Sequence, residues 1–561
     1  MELSTTHDGK FDPKVHISDH ERGISPNLEV PEDIRQGFTE NDRRDMARLG
    51  KKQEFRRNFR FISTLGFTCC VMGTWEIMLT TCTAGLTAGG LSGLFYSMCW
   101  CYLGQAFVVF SLAEMASMAP TAGGQYHWVS EFAPRKYQRF LSYCSGWFSA
   151  ISWQSIIAID SYIVGVIIQG IVVVNDESYV PTRWQATLLI WASIILMSLF
   201  NAFAAKHLPL AEGIFVACHC LLFFPIVITV FTLAPKQSAH DVFASFTDNG
   251  AGWSNMGLTT LIGQVSAIFI VLGSDSVAHM SEEVEDAGII VPKAMIWSFL
   301  LNIPFTFIIL LMICFCIGNI TDALSSVTGF PFIYIFQNAT QSASGTTALT
   351  VLVLILIIMI TISALASTSR QTFAFARDGG LPFPQWVGAV SSPILLSPRS
   401  KKNPLNLTNF PFSSQVHPTM HIPINSIIVT CGFTLLISLI NIGSYVAFNA
   451  LLSLSSTALM ATYTTSVGCM TWRRLAGEPL PPSRFSLGRW GLPINICACA
   501  YSIWSFFWAF WPTYADITAQ DFNWSVVLFV SIMGLASIYY WLHGRKVYEG
   551  PVVKVDGRKF I

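Results

Sequence analysis

Apolar residues recur along this chain in segments of about 20 residues, the length that an α-helix needs to cross the hydrocarbon of a bilayer. Short polar stretches separate them. Twelve such segments lie near residues 61–83, 91–117, 141–174, 184–204, 211–233, 256–280, 295–317, 347–368, 422–440, 445–470, 491–512 and 524–543. The pattern predicts an all-α membrane protein with a twelve-span domain over residues 61–543.

Polar residues dominate both ends of the chain. Residues 1–60 are rich in charged side chains and lack the apolar positions of a core. Such a composition predicts a disordered cytoplasmic tail, ordered at most in its last turn. Residues 544–561 are predicted to form a short cytoplasmic tail.

Two apolar segments are interrupted near their middle, and each interruption combines a glycine, a hydroxyl side chain and a carboxylate. The residues are Gly73, Thr74, Trp75 and Glu76 in the first segment and Gly273, Ser274 and Asp275 in the sixth. Irregular backbone at membrane depth is tolerated only where it lines a cavity or the protein interior. Discontinuous helices at corresponding positions of two inverted halves mark the substrate site of secondary transporters. The spacing predicts a 5+5 inverted repeat plus two helices, with substrate at the two breaks.

An ionisable side chain at membrane depth is a candidate for function. Asp160 in the third segment therefore joins the predicted substrate-binding residues, although a helix–helix hydrogen bond would also account for it. Glu76 or Asp275 could face an amine or carry a proton, and Trp75 could stack on a cation. The alternatives are a wet, structural Glu76 at the outer end of its span and a Trp75 that only packs in the core.

Composition and charge agree with a membrane protein. The chain is 52% hydrophobic and 12% charged, and its formal net charge of zero gives no attraction to nucleic acid. If the N-terminus is cytoplasmic, all but two of the 33 Lys and Arg residues fall on the cytoplasmic side, the exceptions being Arg183 and Lys236. The positive-inside rule thus predicts that both termini are cytoplasmic.

The chain carries no sign of enzymatic chemistry. Its 14 cysteines lie mostly inside apolar segments, so we predict no disulfide, no metal site and no cofactor. The loops are too short for a catalytic domain, and no Gly-rich phosphate-binding loop is present. Three sequons on the predicted outer side are weak candidates for glycosylation, at Asn319, Asn338 and Asn523. The class that remains is a secondary transporter.

Three motifs resemble the amino acid/choline transporter branch of fungal permeases, in the amino acid–polyamine–organocation superfamily. They are SLAEMASMAPTAGGQYHW at 111–128, HMSEE at 279–283 and FARDGGLP at 375–382. The resemblance spans roughly residues 55–545. It implies a leucine-transporter-like fold, with substrate between spans one, three, six and eight, and proton-coupled carriage of an amino acid, polyamine or quaternary amine.

The resemblance also implies roles for individual residues. It implies a substrate pocket at the two breaks and a set of gate positions on the cytoplasmic side. The gate positions are Glu114, Gly123, Gly124, Glu282, Glu283 and Arg377. The alternative role for each of them is loop solvation or helix capping. The first span reads Gly-Thr-Trp-Glu where choline carriers have an Asn-Ser-Trp-Trp pattern, which argues against choline.

The cytoplasmic loop between the eighth and ninth segments is longer than the rest of the pattern requires. The stretch from Val390 to Gln415 is rich in Ser, Pro and Asn and would form a flexible loop. Its ends can also be encoded as splice signals: Val-Ser as GTAAGT, Leu407-Thr408 as a branch site and Gln415 as CAG. We therefore predict that these 26 codons are a retained intron.

The sequence as a whole predicts a proton-coupled permease for an amino acid or small amine such as GABA. Its partners would be that substrate, the proton and the bilayer. We expect the plasma membrane rather than the vacuolar membrane. An exporter of a basic metabolite, a choline carrier and a non-transporting nutrient sensor of the same fold are the alternatives. The short C-terminal tail disfavours the sensor.

Overall fold

The computed structural model describes residues 37–51, 53–389, 422–443, 446–518, 522–548 and 550–551. The stretch from Val390 to Gln415, which we interpret as a retained intron, lies outside the described residues. So do residues 1–36 of the N-terminal tail and residues 552–561 of the C-terminal tail.

The described chain is almost entirely helical. The first half contains α1 (Glu40–Arg48), α2 (Phe61–Met72), α3 (Thr74–Thr81), α4 (Thr83–Thr87), α5 (Gly90–Met118), α6 (Gln125–Phe132), α7 (Arg135–Asn175), α8 (Arg183–Phe203), α9 (Leu208–Leu221), α10 (Phe223–Leu233), α11 (Ala239–Phe243), α12 (Met256–Gly263), α13 (Val265–Ile270) and α14 (Ser276–His279). The second half contains α15 (Ala287–Cys316), α16 (Ile320–Leu324), α17 (Pro331–Thr340), α18 (Ala343–Arg377), α19 (Pro384–Val387), α20 (Ile424–Ser438), α21 (Ile440–Gly443), α22 (Val446–Leu475), α23 (Gly491–Trp508), α24 (Ser525–Tyr539) and α25 (Arg545–Val547). Two-residue strands β1 (Ala88–Gly89) and β2 (Thr247–Asp248) pair antiparallel.

Nine helices in the described part of the chain are long and apolar enough to cross a membrane. The structure is thus that of an all-α membrane protein. The remaining predicted segments coincide with the shorter apolar stretch Met256–Ile270, with α22 and with α23. At the centre, α7 packs against both α18 and α22, and α2 packs against α9 and α15.

Both predicted helix breaks are confirmed. The first separates α2 from α3 at Gly73, which has a left-handed backbone with φ +41°. A Cβ atom there would overlap the side chain of Ile360, so only glycine fits without rearrangement. In the sixth segment α13 ends at Ile270 and the chain turns through Gly273, at φ +98°, before α14 begins.

Residues 37–51 and 53–60, here named the N-terminal strap, differ from the prediction of a disordered tail. The strap contains α1, which begins with a capping box between Thr39 and Asp42. The Asp42 carboxylate accepts the backbone N–H groups of Asp286 and Ala287 at 2.9 and 3.1 Å. The buried Arg57 donates to the carbonyl oxygens of Ser281 and Val284. The prediction is wrong here because polar residues that resemble a solvated tail instead satisfy buried backbone groups of another segment.

Candidate functional site

The two helix breaks border one small cavity. Its volume is about 30 Å³, whereas ligand pockets usually measure about 300–1,000 Å³. The lining residues come from the first, third, sixth and eighth apolar segments: Val71, Met72, Ile77, Trp153, Ile156, Asp160, Phe269, Leu272, Gly273 and Ile360. The resemblance places the substrate between these same four segments. Admission of a substrate therefore requires the lining side chains to move apart.

Asp160 supplies the carboxylate of this cavity. It lies on α7, is only 1% exposed, and its Oδ2 has no hydrogen-bond partner among the described residues. A buried carboxylate without a partner is costly, and a cationic group that enters the cavity would relieve that cost. Of the predicted substrate-binding residues, Asp160 and Gly273 line the cavity in the described structure.

Asp275 lies outside this lining, in a buried polar cluster. Its Oδ2 accepts a hydrogen bond from Gln125 Nε2 at 2.6 Å, and its Oδ1 accepts one from the hydroxyl of Tyr463 at 2.6 Å. The Nε2 of His279 lies 3.9 Å from Oδ2. Trp153 packs edge-on against His279 and also lines the cavity, so its indole stands between the cavity and the Asp275 cluster.

The residues that follow the first break also point away from the cavity lining. The hydroxyl of Thr74 donates to Asn302 Oδ1 at 2.9 Å and accepts from Thr306 at 2.6 Å. Trp75 packs against Phe223 with ring centroids 5.4 Å apart. Glu76 pairs with His219 on α9, as described further below.

Ser274 is buried in the second break, and its hydroxyl has no hydrogen-bond partner among the described residues. The binding roles of Thr74, Trp75, Glu76, Ser274 and Asp275 remain predictions.

The predicted gate residues Glu282, Glu283 and Arg377 take part in ion pairs, as does Glu114 with Arg474. Arg377 donates two hydrogen bonds to Glu282, at 2.7 and 3.0 Å. Glu283 pairs with Arg370 at 2.7 Å. Burial acts to raise the pKa of Glu282, but the Arg377 charge and hydrogen bonds and the charge of Lys51 outweigh burial, and the pKa lies below its ordinary value.

The other gate residues pack nearby. Glu114 accepts from Arg474 at 2.6 Å and from the backbone of Leu487 at 2.9 Å. A Cβ at Gly123 would come within 2.8 Å of the Tyr126 ring, and Gly124 has φ +52° beside His279. These glycines allow the 119–124 turn to approach its neighbours closely.

The N-terminal strap covers this ion-pair layer. Lys51 pairs with Asp378 at 2.6 Å, and Tyr126 donates to the same carboxylate at 3.0 Å. Glu54 lies 3.6 Å from Arg377. Burial lowers the pKa of Lys51 from its usual value, although the Asp378 charge opposes that effect. The strap, residues 281–287 after α14 and the end of α18 thus form one connected closure on the cytoplasmic side of the predicted topology.

Sequence reasoning missed several members of these clusters. Among them are Glu212 and His219, both buried on α9. The rule that selected Asp160, an ionisable side chain inside an apolar segment, would also have selected both of them. Gln125 and Tyr463 carry no such signal, because uncharged polar residues are common in membrane helices.

The three sequons differ in their surroundings. Asn319 is exposed and caps α16, and Asn338 is half-buried. The Nδ2 of Asn523, the atom that glycosylation modifies, donates to the carbonyl oxygens of Ala509 and Trp511 at 3.1 and 3.2 Å. Glycosylation at these positions stays a prediction.

Comparison with known proteins agrees with this architecture. Residues 59–532 match the model of the amino acid permease family. A protein of Macrophomina phaseolina, provisionally named an amino acid/polyamine transporter, is 30% identical over 464 residues, or 82% of this chain and 96% of the relative. The choline transporter of Saccharomyces cerevisiae is 26% identical, over 96% of this chain and 90% of its own. Amino-acid permease 2 of Neurospora crassa is 23% identical, over 92% and 90%. This chain therefore belongs to the amino acid permease family of secondary transporters, in the fungal amino acid/choline branch of the amino acid–polyamine–organocation superfamily.

Proposed function

We propose that this protein is a proton-coupled permease that carries an amino acid or a small amine such as GABA across the plasma membrane. Its chain would cross the bilayer twelve times as a 5+5 inverted repeat plus two helices, with both termini in the cytoplasm. The confirmed breaks in the first and sixth apolar segments support the inverted repeat, because such breaks occur at corresponding positions of the two halves.

The observation that carries the proposal is the cavity at the two breaks, with the unpartnered carboxylate of Asp160 in its wall. In this arrangement Asp160 engages the substrate ammonium. The irregular backbone at Gly273 faces the other end of the substrate, where peptide N–H groups would bind a carboxylate. The names of the relatives support this choice, since amino acids, polyamines and choline all carry a cationic nitrogen.

The closed ion-pair layer on the cytoplasmic side supports alternating access. We infer that the layer of Glu282, Arg377 and the strap closes the path from the cavity to one side, because carriers of this kind rock one bundle against the other around a fixed site. Transport in this scheme requires that the layer open and reform in each cycle.

Labelled uptake in permease-deficient yeast tests the proposal. The panel contains GABA, lysine, alanine, choline and ethanolamine, each measured with and without a protonophore. Wild type is compared with Asp160→Asn and with a control, Asp322→Asn, which changes an exposed carboxylate outside the cavity lining. A hydrogen bond to a charged group contributes about 1.5–3 kcal/mol, so Asp160→Asn should weaken apparent affinity by about 10- to 150-fold. The control should match wild type.

Each other outcome has a defined meaning. Protonophore-insensitive uptake would contradict proton coupling. Full activity of Asp160→Asn would refute the assignment of the ammonium site. Absence of uptake, with the protein at the cell surface, would favour the exporter or the sensor.

A further inference from the structure

A buried acid–base pair lies outside the cavity, between α3 and α9. The Oε1 atom of Glu76 and the Nδ1 atom of His219 are 2.6 Å apart. Glu76 is 1% exposed and His219 is 3% exposed. The second carboxylate oxygen of Glu76, Oε2, has no hydrogen-bond partner among the described residues. Neither residue lines the cavity, so the arrangement of the substrate site does not explain the pair.

The pair has the chemistry to hold one exchangeable proton. A contact of 2.6 Å requires a hydrogen between Nδ1 and Oε1. With that hydrogen alone the pair carries a net charge of −1. One further proton, bound at the second imidazole nitrogen or at Oε2, brings the charge to zero. Release of that proton on the opposite side of the membrane restores the starting state, so no other reactant is consumed.

Thiols and aromatic rings surround the pair. The thiols of Cys69 and Cys70 on α2 and of Cys220 on α9 lie within electrostatic range of Glu76. The rings of Trp75 and Phe305 pack against His219. In the described part of the chain, no Lys or Arg forms an ion pair with Glu76. A buried charge without a counter-ion is costly, so a proton is the group that neutralises this pair.

Besides these thiols, Glu212 is a titratable side chain near this region. It lies two turns before His219 on α9, accepts a hydrogen bond from the hydroxyl of Ser363 at 2.7 Å, and has one unpartnered oxygen. It lies within electrostatic range of Cys70, as Glu76 does. Within the described chain, Glu212 has no basic partner comparable to His219, and for that reason it serves below as the comparison.

We propose that Glu76 and His219 form the proton-carrying site of the transport cycle, separate from the carboxylate that holds the substrate. The inference rests on the proposed function. The connection to the substrate runs through α3: Ile77, which lines the cavity, directly follows Glu76, and Gly73 at the start of α3 is the break itself. The protonation state of the pair governs how firmly α3 is held against α9, and with it the position of one cavity wall.

The other intramembrane carboxylates that we singled out are engaged differently. Both oxygens of Asp275 already accept hydrogen bonds, from Gln125 and Tyr463. Asp160 lies in the cavity wall, where a substrate cation takes the place of the proton.

The test uses the purified full-length protein in liposomes, with labelled GABA, lysine, alanine and choline as probes. Two activities are compared: accumulation driven by an imposed pH gradient, and exchange of internal for external probe without a gradient. His219→Asn should retain exchange within about twofold and lose gradient-driven accumulation, and Glu76→Gln should lose that accumulation as well. Glu212→Gln, the matched buried carboxylate on α9, should retain both.

The outcomes separate the two proposals. If wild type exchanges a probe but ignores the pH gradient, the proposed proton coupling fails and this inference fails with it. If wild type responds to the gradient and Glu76→Gln still accumulates probe like wild type, only this inference fails. Loss of accumulation in Glu212→Gln, with Glu76→Gln unaffected, would place the proton at Glu212 instead.

A second measurement needs no substrate. Infrared difference spectra of the purified protein between pH 5 and pH 8 report the carboxyl and imidazole groups that change protonation. The wild-type spectrum should contain bands that are missing in both Glu76→Gln and His219→Asn and present in Glu212→Gln. Spectra of Glu76→Gln and His219→Asn that equal the wild-type spectrum would overturn the proposal.

Discussion

The pair formed by Glu282 and Arg377 offers the sharpest test of the closure that the strap forms with residues 281–287 and the end of α18. We predict that Glu282→Gln releases this closure without unfolding the protein. The carboxylate of Glu282 is 1% exposed and accepts two hydrogen bonds from Arg377, at 2.7 and 3.0 Å. The amide that replaces it keeps the shape of the side chain and removes its charge.

The size of the effect follows from the partners that Arg377 keeps. Removal of one member of a buried ion pair costs about 3–5 kcal/mol when the other charge is left alone. Arg377 retains Glu54 at 3.6 Å and the ring of Phe373 at 5.2 Å, so the lower end applies. A cost of about 3 kcal/mol raises the population of the open closure by roughly 150-fold.

Amide hydrogen exchange measures that population directly. The amide of Asn58 donates to the carbonyl of Glu283, and the amide of Glu285 donates to the carbonyl of Phe59, so both bonds break when the strap leaves. Their exchange should accelerate by about two orders of magnitude in Glu282→Gln. Because the pKa of Glu282 lies below its ordinary value, the pair's contribution is complete at neutral pH and is lost only as the pH falls through that lowered pKa.

The control is Asp45→Asn, which removes partly exposed pairs with Arg48 and Arg484. Exposed pairs contribute at most about 1 kcal/mol, so exchange at Asn58 and Glu285 should change by less than about fivefold. If Glu282→Gln is folded and both amides exchange at the wild-type rate, the ion pair does not hold the closure.

Three further changes test separate features. Gly73→Ala should lower the free energy of unfolding by at least about 1–2 kcal/mol and lower the thermal unfolding midpoint, because a side chain at φ +41° is strained and overlaps Ile360. The matched control is Gly432→Ala, since no described atom lies within 4 Å of a Cβ there. Equal unfolding midpoints for the two variants would contradict this account. Asp42→Ala should destabilise the folded protein by about 3–5 kcal/mol, because it leaves the buried Arg57 without its carboxylate partner and removes the cap of α15. The control is Glu40→Ala, an exposed position on the same helix, which should leave the thermal unfolding midpoint unchanged. Sequencing of cDNA from Ala389 to Val416 should show transcripts without the 26 codons, and transcripts that all contain them would refute the intron.

The sequence was sufficient to predict where the helices break, but not which side chains face the cavity. Glycine next to a hydroxyl and a carboxylate inside an apolar segment is a local signal, and both breaks lie where it occurs. Residues 74–76 cover more than half of a helical turn, so at most part of them can face one cavity. Met72 and Ile77 line it instead, and their apolar side chains carried no signal of binding.

The closure shows a different limit of sequence reasoning. Glu282 and Arg377 could be singled out because they lie in recognisable motifs. The contacts of this region with the strap could not be predicted, because Gln53 and Lys51 lie in a charged stretch that resembles a solvated tail. Such polar partners follow no period of 2 or 3.6 residues, and only the three-dimensional structure brings them together.

The strap has a consequence for how the protein is made. Lys51 and Asp378 are 327 residues apart in sequence. At about 5–20 residues per second, a ribosome needs roughly 16–65 s to synthesise the chain between them. At the end of that interval the strap has long left the ribosome, whereas Arg377 and Asp378, two of its charged partners, are only then being made. The strap is therefore translated early but is among the last parts of the described chain to dock.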